Sequence, residues 1–182
     1  MKLVILDRDG VINHDSDQFI KSPEEWRPIP GSLEAIAKLN QAGYRVVVAS
    51  NQSGLGRGLF CMATLNRIHA KMHKLVAQHG GRIDAVFLCP HPADAKCGCR
   101  KPHPGLFRDI ASRYHQDLKG VPAIGDALRD LEAALEVGAK PILVRTGKGR
   151  RTLEGGDLPG GVEVYDDLAD AVRALISLTK AA

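Results

Sequence analysis

The sequence has few aromatic residues and no strong excess of one charge. Phe, Trp and Tyr make up 4% of the 182 residues, which leaves few rings on which nucleic-acid bases could stack. Lys and Arg together number 25, and Asp and Glu number 21, so the net charge is +4. This small, dispersed excess suits a small anionic substrate but does not indicate a nucleic-acid partner.

Long hydrophobic runs, internal repeats and linkers are also absent from the sequence. No apolar stretch reaches the roughly 20 residues that a helix needs to cross a bilayer, so we expect no membrane partner. The N-terminal apolar run, residues 3–6, leads directly into Asp7, which is typical of a strand and not of a signal peptide. We therefore predict a cytoplasmic protein with a single domain over residues 1–182.

Short apolar runs alternate with helical patterns along the chain. Six of these runs predict strands, at residues 3–6, 44–49, 83–88, 121–124, 141–144 and 162–165. The alternation predicts an α/β fold with a doubly wound, mostly parallel sheet that helices cover on both faces. Residues 10–31 are predicted to be an irregular excursion. Residues 147–161, which are rich in Gly, Lys and Arg, are predicted to be a mobile loop.

Polar residues follow four of the predicted strands. Asp7 and Asp9 come after the first strand, Ser50 after the second, Cys89 after the third and Asp126 after the fourth. Ligands of such sheets bind beyond the carboxyl ends of the strands. Alternate side chains of an extended segment point the same way, so the first two carboxylates can face one pocket, where their repulsion favours a divalent cation. A solvated turn is the alternative for this segment.

These residues, together with Lys101, suit phosphoryl chemistry. Asp7, Asp9 and Asp126 offer hard oxygen ligands for Mg²⁺, and the Ser50 hydroxyl and the Lys101 ammonium can neutralise phosphoryl oxygens. Asp7 would attack phosphorus, and Asp9 would protonate the leaving alcohol and then activate water. The alternatives are a helix cap for the serine and an ordinary surface position for the lysine.

A second cluster predicts a zinc site. Cys89, His91, Cys97 and Cys99 offer three thiolates and an imidazole within one short loop, residues 89–103, and this is a good tetrahedral zinc set. Four protein ligands leave no open position, so the predicted role is structural. The alternative is a group of buried free thiols beside a surface histidine. Cys61 lies outside the cluster and is expected to be a small buried apolar residue.

These segments resemble the four motifs of the haloacid-dehalogenase (HAD) superfamily of phosphohydrolases. The matches are residues 7–10, 47–52, 100–102 and 125–130. The resemblance implies a Rossmann-like core without a large cap domain, and hence an open site and a monomer. It also implies that Asp7, the backbone carbonyl of Asp9 and Asp126 hold Mg²⁺. Asp130 could ligate the metal through water, but it is expected to be a helix-surface carboxylate.

With the zinc loop included, the chain is similar to the bacterial D,D-heptose 1,7-bisphosphate 7-phosphatases of the histidinol-phosphatase-like family. The matching segments are residues 7–13, 50–54, 57–58, 99–105 and 125–126. The resemblance implies Mg²⁺-dependent removal of the 7-phosphate in the biosynthesis of ADP-heptose and the lipopolysaccharide core. It also implies a set of substrate contacts: Asp15, Ser16, Asp17, Gln18, Asn51, Gln52, Ser53 and Arg100. One departure is Ala127, where many relatives have Lys.

Three alternatives remain open on the sequence. Histidinol-phosphate phosphatase shares the motifs and the zinc loop. Arg100, with Lys148, Arg150 and Arg151, could hold the second phosphate that only the bisphosphate carries, although the last three also suit a solvated loop. Receiver domains of signalling proteins use similar groups around Mg²⁺, but their phosphorylated Asp does not follow the first strand. A zinc-loop binding module without catalysis is the third alternative.

Overall fold

Six parallel strands form the centre of the protein in a computed structural model, which describes residues 1–180. The strands are β1 (Lys2–Leu6), β2 (Tyr44–Asn51), β3 (Ala85–Cys89), β4 (Pro122–Gly125), β5 (Lys140–Val144) and β6 (Glu163–Tyr165). Their order in the sheet is β3-β2-β1-β4-β5-β6, and every neighbouring pair is parallel. The chain reverses its direction of travel across the sheet between β1 and β4, which is where ligands of such sheets bind.

Helices cover both faces of this sheet. They are α1 (Ser32–Gln41), α2 (Ser53–Gly56), α3 (Met62–Gln78), α4 (Gly105–Tyr114), α5 (Leu128–Leu135), α6 (Gly149–Glu154) and α7 (Leu168–Lys180). Apolar side chains of α1, α3 and α7 form one core with the sheet, and those of α4 and α5 form a second core on its other face. This is the doubly wound arrangement that the alternating pattern predicts, and the prediction is confirmed.

The central strand shows why the first apolar run of the chain is unbroken. Val4 and Leu6 pack into the first core, and Leu3 and Ile5 pack into the second. Because both faces of β1 are covered, neither set of alternating side chains meets water. The first charged side chain after this run is that of Asp7, which lies directly beyond the end of the strand.

Two connections are long. Residues 7–31 contain no described helix or strand, only isolated bridges from Asn13 to Asp9 and to Pro28, in agreement with the predicted irregular excursion. Residues 90–104 carry the cysteine loop. Over residues 1–180, neither connection forms a separate cap domain. No helix among these residues is long and apolar enough to cross a membrane.

The prediction of a mobile loop over residues 147–161 is wrong, because part of this segment forms α6. The Thr152 hydroxyl donates a hydrogen bond to the backbone carbonyl of Asp126 at 2.8 Å, and the Thr146 hydroxyl donates to that of Gly10 at 2.7 Å. The helix is short and basic, and it has no clear apolar periodicity. Its position depends on contacts with segments that lie far away in sequence.

Candidate active site

Asp7 lies where β1 ends, at one wall of a cavity of about 220 Å³. Its backbone N–H donates to the carbonyl of Ile124 at 2.9 Å, which continues the pairing of β1 with β4. Its side chain is 8% exposed and accepts a hydrogen bond from the backbone N–H of Arg8 at 2.8 Å. The carboxylate is therefore anchored by backbone on one side and open to the cavity on the other.

The cavity brings together most of the predicted substrate contacts. Of the eight residues named for that role, Gln18 is exposed and is not among the residues that line the cavity. The lining consists of Asp7, Asp9, Asp15, Ser16, Asp17, Phe19, Ile20, Asn51, Gln52, Ser53, Arg57, Arg100, Arg129 and Lys148.

Lys101 is buried beneath this cavity and contacts two carboxylates. Its Nζ atom lies 3.1 Å from Asp7 Oδ1 and 2.7 Å from Asp130 Oδ1, and it donates to the carbonyl of Ala49 at 2.7 Å. Burial alone would lower the pKa of Lys101, but the attraction of Asp130 and Asp7 outweighs burial and raises the pKa above its usual value. The side chain is therefore a fixed ammonium, and the surface-lysine alternative is wrong.

Asp130 is buried, and the expectation of a helix-surface carboxylate is wrong. One oxygen pairs with Lys101, and the other accepts hydrogen bonds from the backbone N–H groups of Asp126 and Ala127, at 3.2 and 3.0 Å. Burial favours its neutral form, but Lys101 and Arg129 outweigh burial and hold the pKa of Asp130 below its usual value. Asp130 therefore fixes both the lysine and the start of α5. Its position in the first turn of a helix that follows a strand was the available signal.

Asp126 completes a cluster of carboxylates that could hold a divalent cation. Oxygen atoms of Asp7, Asp126 and Asp130 lie within 4.8 Å of one another. Burial and the negative charges of Asp130 and Asp7 raise the pKa of Asp126 to about 8. Burial is also the main cause that raises the pKa of Asp7 to about 6. Carboxylates packed in this way need a compensating cation, and a hard oxygen donor set suits Mg²⁺.

The backbone also fits closely around Asp126. Gly10 has a φ of +84°, and a Cβ atom there would lie 2.0 Å from Asp126 Oδ2. A Cβ atom at Gly147, whose φ is +56°, would lie 2.2 Å from the same oxygen. The backbone N–H of Lys148 donates to that oxygen at 2.7 Å. The side chain of residue 126 is therefore held by segments from both halves of the chain, and only glycine fits at the two flanking positions.

These raised pKa values predict a pH dependence of metal binding. A cation must displace the protons that Asp126 and Asp7 bind below about pH 8 and about pH 6. The Mg²⁺ concentration that half-saturates the site should therefore fall as the pH rises from 6 to 9, by up to about tenfold for each unit over which one proton is released. Mg²⁺ titrations at fixed ionic strength measure it. A half-saturating concentration that does not change with pH would contradict the prediction.

Asp9 accepts hydrogen bonds from three side chains. Asn13 Nδ2 donates to its Oδ1 atom at 2.8 Å, Gln52 Nε2 donates to its Oδ2 atom at 3.0 Å, and Arg8 donates to both oxygens at 3.1 Å. Burial acts to raise the pKa of Asp9, but the Arg8 guanidinium and these hydrogen bonds outweigh burial and lower it. The carboxyl group is 22% exposed and lines the cavity, so it can reach a substrate.

Ser50 and Asn51 occupy the end of β2 beside Asp7. The Ser50 hydroxyl accepts a hydrogen bond from Gln52 Nε2 at 2.8 Å and is buried; the helix that follows begins only at Ser53, with Gln52 before it, so Ser50 does not cap it. The Asn51 amide donates to the Lys101 carbonyl at 3.1 Å and accepts from the Lys101 backbone N–H at 3.0 Å. Asn51 therefore ties the loop that carries Lys101 to the sheet.

Three arginines face the cavity, and the sequence analysis gave a role to only one of them. Arg57, Arg100 and Arg129 all line it, and Arg100 Nη1 and Arg129 Nε are buried atoms with no hydrogen-bond partner. Burial, followed by the charges of neighbouring groups such as Arg129, lowers the pKa of Arg100. Unpaired guanidinium groups of this kind favour an anionic ligand. The position of Arg129 in the same first helical turn as Asp130 was the only sequence signal for it.

Lys148 also lines the cavity, where the sequence analysis favoured a solvated loop. Its Nζ atom lies 3.2 Å from Asp15 Oδ2. Arg151 lies 4.0 Å from Asp17 and is largely exposed, in agreement with a solvated position. Residues 148–151 therefore contribute Lys148 to the cavity wall and place Arg151 near an acidic residue.

The cysteine loop gathers the four predicted zinc ligands. Cys89 Sγ lies 3.4 Å from His91 Nδ1, 3.8 Å from Cys97 Sγ and 2.9 Å from Cys99 Sγ, and the four ligand atoms all lie within 4.8 Å of one another. Burial and the neighbouring thiols raise the pKa of Cys99 to about 12. The pKa of Cys97 moves the other way: burial acts to raise it, but hydrogen bonds with the Arg100 backbone and the neighbouring thiols outweigh burial and lower it to about 7. Cys61, in contrast, is exposed, so the expectation that it is buried is wrong.

Family comparisons agree with this geometry. A family model described as HAD-hydrolase-like matches residues 98–171, and one described as polynucleotide kinase 3 phosphatase matches residues 2–132. The second match covers more than half of the chain and includes the ends of β1, β2 and β4, where the candidate catalytic residues lie.

Curated relatives and solved structures are more specific. D-glycero-beta-D-manno-heptose-1,7-bisphosphate 7-phosphatase of Bordetella bronchiseptica is 61% identical over 97% of this chain and 98% of its own length. The Pseudomonas putida protein of the same name is 56% identical over 97% and 100%. A crystal structure of the B. bronchiseptica D,D-heptose 1,7-bisphosphate phosphatase, complexed with magnesium and phosphate, superposes with a TM-score of 0.97 over 98% of this chain and 99% of that one.

Proposed function

Because the chain belongs to the D-glycero-beta-D-manno-heptose-1,7-bisphosphate 7-phosphatase family of HAD hydrolases, we propose that it removes the 7-phosphate of that bisphosphate with Mg²⁺. The observation that carries the proposal is the position of Asp7. Its carboxylate lies at the cavity wall, 3.1 Å from the buried Lys101 ammonium and in the same lining as Asp9.

The proposed reaction has two half-reactions on the same aspartate. An oxygen of Asp7 attacks phosphorus, the bond from phosphorus to the substrate oxygen breaks, and the proton of Asp9 goes to that oxygen to form the alcohol. Asp9 then takes a proton from water as the water oxygen attacks phosphorus. The bond between Asp7 and phosphorus breaks, which releases orthophosphate, restores the Asp7 carboxylate and leaves Asp9 protonated as at the start.

The charges around Asp9 suit both of its proposed roles. Without substrate, the Arg8 guanidinium and the hydrogen bonds from Asn13 and Gln52 outweigh burial and lower its pKa, which favours the base form that the second half-reaction needs. A dianionic phosphate in the cavity places negative charge beside the carboxyl group. Like charge raises a carboxyl pKa, so substrate binding favours the protonated form that the first half-reaction needs.

The metal and the fixed cations serve the reacting phosphoryl group. The solved relative with magnesium and phosphate supports Mg²⁺ here, and Asp7, the backbone carbonyl of Asp9 and Asp126 are the ligands that we propose. Bound Mg²⁺ would neutralise negative charge on phosphoryl oxygens. Lys101 holds Asp7 in place, and the Ser50 hydroxyl, which accepts its hydrogen bond from Gln52, keeps its own proton to donate to a phosphoryl oxygen.

The three cavity arginines favour a substrate with a second phosphate. Arg57, Arg100 and Arg129 line the cavity, whose acidic side chains include Asp15 and Asp17. Buried N–H groups of Arg100 and Arg129 have no hydrogen-bond partner and can donate to a second phosphate. Histidinol phosphate, the alternative substrate, carries an amine in place of a second phosphate, and the arginines would repel its charged form. The polynucleotide substrate named by one family model is less well supported, because the relatives that cover the whole chain are sugar-phosphate phosphatases.

Substrate selectivity tests the proposal. Wild-type protein should show a higher kcat/KM for the heptose bisphosphate than for histidinol phosphate or a 3′-phosphorylated oligonucleotide. Arg100→Ala should lower kcat/KM for the bisphosphate by about one to two decades, since a charge-assisted contact contributes about 1.5–3 kcal/mol. The loss on 4-nitrophenyl phosphate should be much smaller, because Lys101 and Mg²⁺ still serve the reacting phosphate.

The matched control for this variant is Arg108→Ala, which removes an exposed arginine from α4. It should leave kcat/KM for both substrates nearly unchanged. If Arg100→Ala lowered kcat/KM equally for both substrates, Arg100 would act on the reacting phosphate, and the argument for a second phosphate would lose its main support. If histidinol phosphate were the better wild-type substrate, the proposed substrate would be wrong.

Zinc is the metal that we propose for the cysteine loop. Its support is the ligand set, Cys89, His91, Cys97 and Cys99, whose donor atoms all lie within 4.8 Å of one another. The loop leads directly into Arg100 and Lys101. A filled site would therefore hold the backbone that delivers both cations. We also propose a single-domain monomer, because neither long connection of residues 1–180 forms a cap domain, and a cytoplasmic location, which suits the proposed biosynthetic role.

A further inference from the structure

Arg8 lies between the two candidate catalytic carboxylates in sequence, and its side chain is completely buried. Its Nε and Nη2 atoms form a fork that donates to Oδ1 and Oδ2 of Asp9, each at 3.1 Å. Nη2 also lies 3.3 Å from Gln52 Oε1, which it donates to. A buried guanidinium is costly unless its donors are satisfied, and this one is aimed at Asp9.

His69 completes the set of partners around this guanidinium. It lies on α3, is 9% exposed, and places its Nε2 atom 3.2 Å from Arg8 Nη1. Burial, followed by the positive charge of Arg8, lowers the pKa of His69 to about 4. The imidazole is therefore neutral at physiological pH, and Nε2 can accept the hydrogen bond that Nη1 donates.

We propose that His69 and Arg8 are positioning residues that hold Asp9 in line with the leaving oxygen of the substrate. The inference rests on the proposed reaction. The imidazole fixes the plane of the guanidinium, and the guanidinium fork fixes both oxygens of the Asp9 carboxyl group. Asn13, from the same irregular segment, and Gln52, which follows β2, also donate hydrogen bonds to Asp9. His69 itself does not line the cavity, so it acts on the reaction only through Arg8.

This role predicts a loss that depends on the leaving group. A sugar alkoxide leaves only with a proton, whereas 4-nitrophenolate leaves without one, so the position of Asp9 matters for the first substrate and much less for the second. His69→Ala should lower kcat/KM for the heptose bisphosphate by about tenfold or more. It should lower kcat/KM for 4-nitrophenyl phosphate by less than about threefold. His69→Gln, whose side-chain oxygen can also accept from Arg8, should recover most of the loss.

The matched control is His73→Ala, which removes an exposed histidine one turn further along α3 and should leave the ratio of the two kcat/KM values unchanged. Arg8→Lys, which keeps the charge but not the fork, is the second variant if His69→Ala does not fold, and it should show the same selective loss. Equal losses on the two substrates in the His69 and Arg8 variants, or no loss on either, would overturn the proposal.

Asp9→Asn separates this inference from the proposed reaction. If Asp9→Asn shows the selective loss and the His69 and Arg8 variants do not, Asp9 is the proton donor but the two residues do not position it, and the inference fails. If Asp9→Asn lowers kcat/KM equally for both substrates, Asp9 is not the proton donor, and the inference fails together with that assignment.

Discussion

Asp7→Asn should lower kcat for the heptose bisphosphate on the order of 10⁴-fold or more, because an amide cannot form the aspartyl-phosphate. The remaining groups still bind phosphate but have no nucleophile to transfer it to. Phosphate release under saturating Mg²⁺ measures the loss. Wild-type protein that is quenched during turnover should carry a covalent phosphate that the variant lacks.

Fold integrity is the necessary control for this variant. Asp7 makes no helix cap and is a buried carboxylate whose pKa burial raises to about 6, so a neutral amide there should leave thermal unfolding within a few degrees of wild type. Asp109→Asn, an exposed position on α4, is the matched change of charge and should retain full activity. An Asp7→Asn variant with activity near that of Asp109→Asn would remove the proposed mechanism.

Cys97→Ser should lower stability and activity together. We expect about one zinc per wild-type chain and much less in the variant, because a closed site uses all four ligands. The lost metal should cost about 3 kcal/mol or more, which corresponds to a fall of about 6–12 °C in Tm. Activity should fall as well, since Arg100 and Lys101 directly follow the last thiol ligand, Cys99.

Cys61→Ser is the matched control, because it removes a thiol that is exposed and lies outside the cluster. Its zinc content, Tm and kcat/KM should equal those of wild type. Metal analysis by mass spectrometry and thermal unfolding, each with and without a chelator, measure the effects. Purified protein without zinc that keeps full activity and Tm would exclude the proposed site.

The parallel sheet could be predicted because its central strands are covered on both faces. A run such as residues 3–6 must then be apolar at every position, and this pattern is visible without any knowledge of the partners. The carboxyl ends of those strands carry Asp7, Ser50 and Asp126, so the positions of these side chains at one edge followed from the strand assignments. The cysteine loop was equally visible, because all four ligands lie within eleven residues.

The partners of several charged residues could not be predicted. Asp130 lies on α5, which follows β4, and its burial depends on its pairing with Lys101. Lys101 follows β3, which lies on the opposite side of β1 in the sheet. Arg8 received no role from the sequence, and its contact with His69 joins residues that are 61 positions apart. The helix α6 has too little apolar periodicity to be recognised, and threonine hydrogen bonds to the site hold it in place.

The sequence by itself determined the doubly wound sheet, the edge at which the carboxylates gather, and the set of candidate metal ligands. These features depend on periodicity and on residues that are close together along the chain, which are local properties. Only the tertiary structure decided which charges pair, which arginines are left without partners, and which residues support Asp9. Such pairings join distant segments, and their strength depends on burial and on distance, which a linear sequence does not specify.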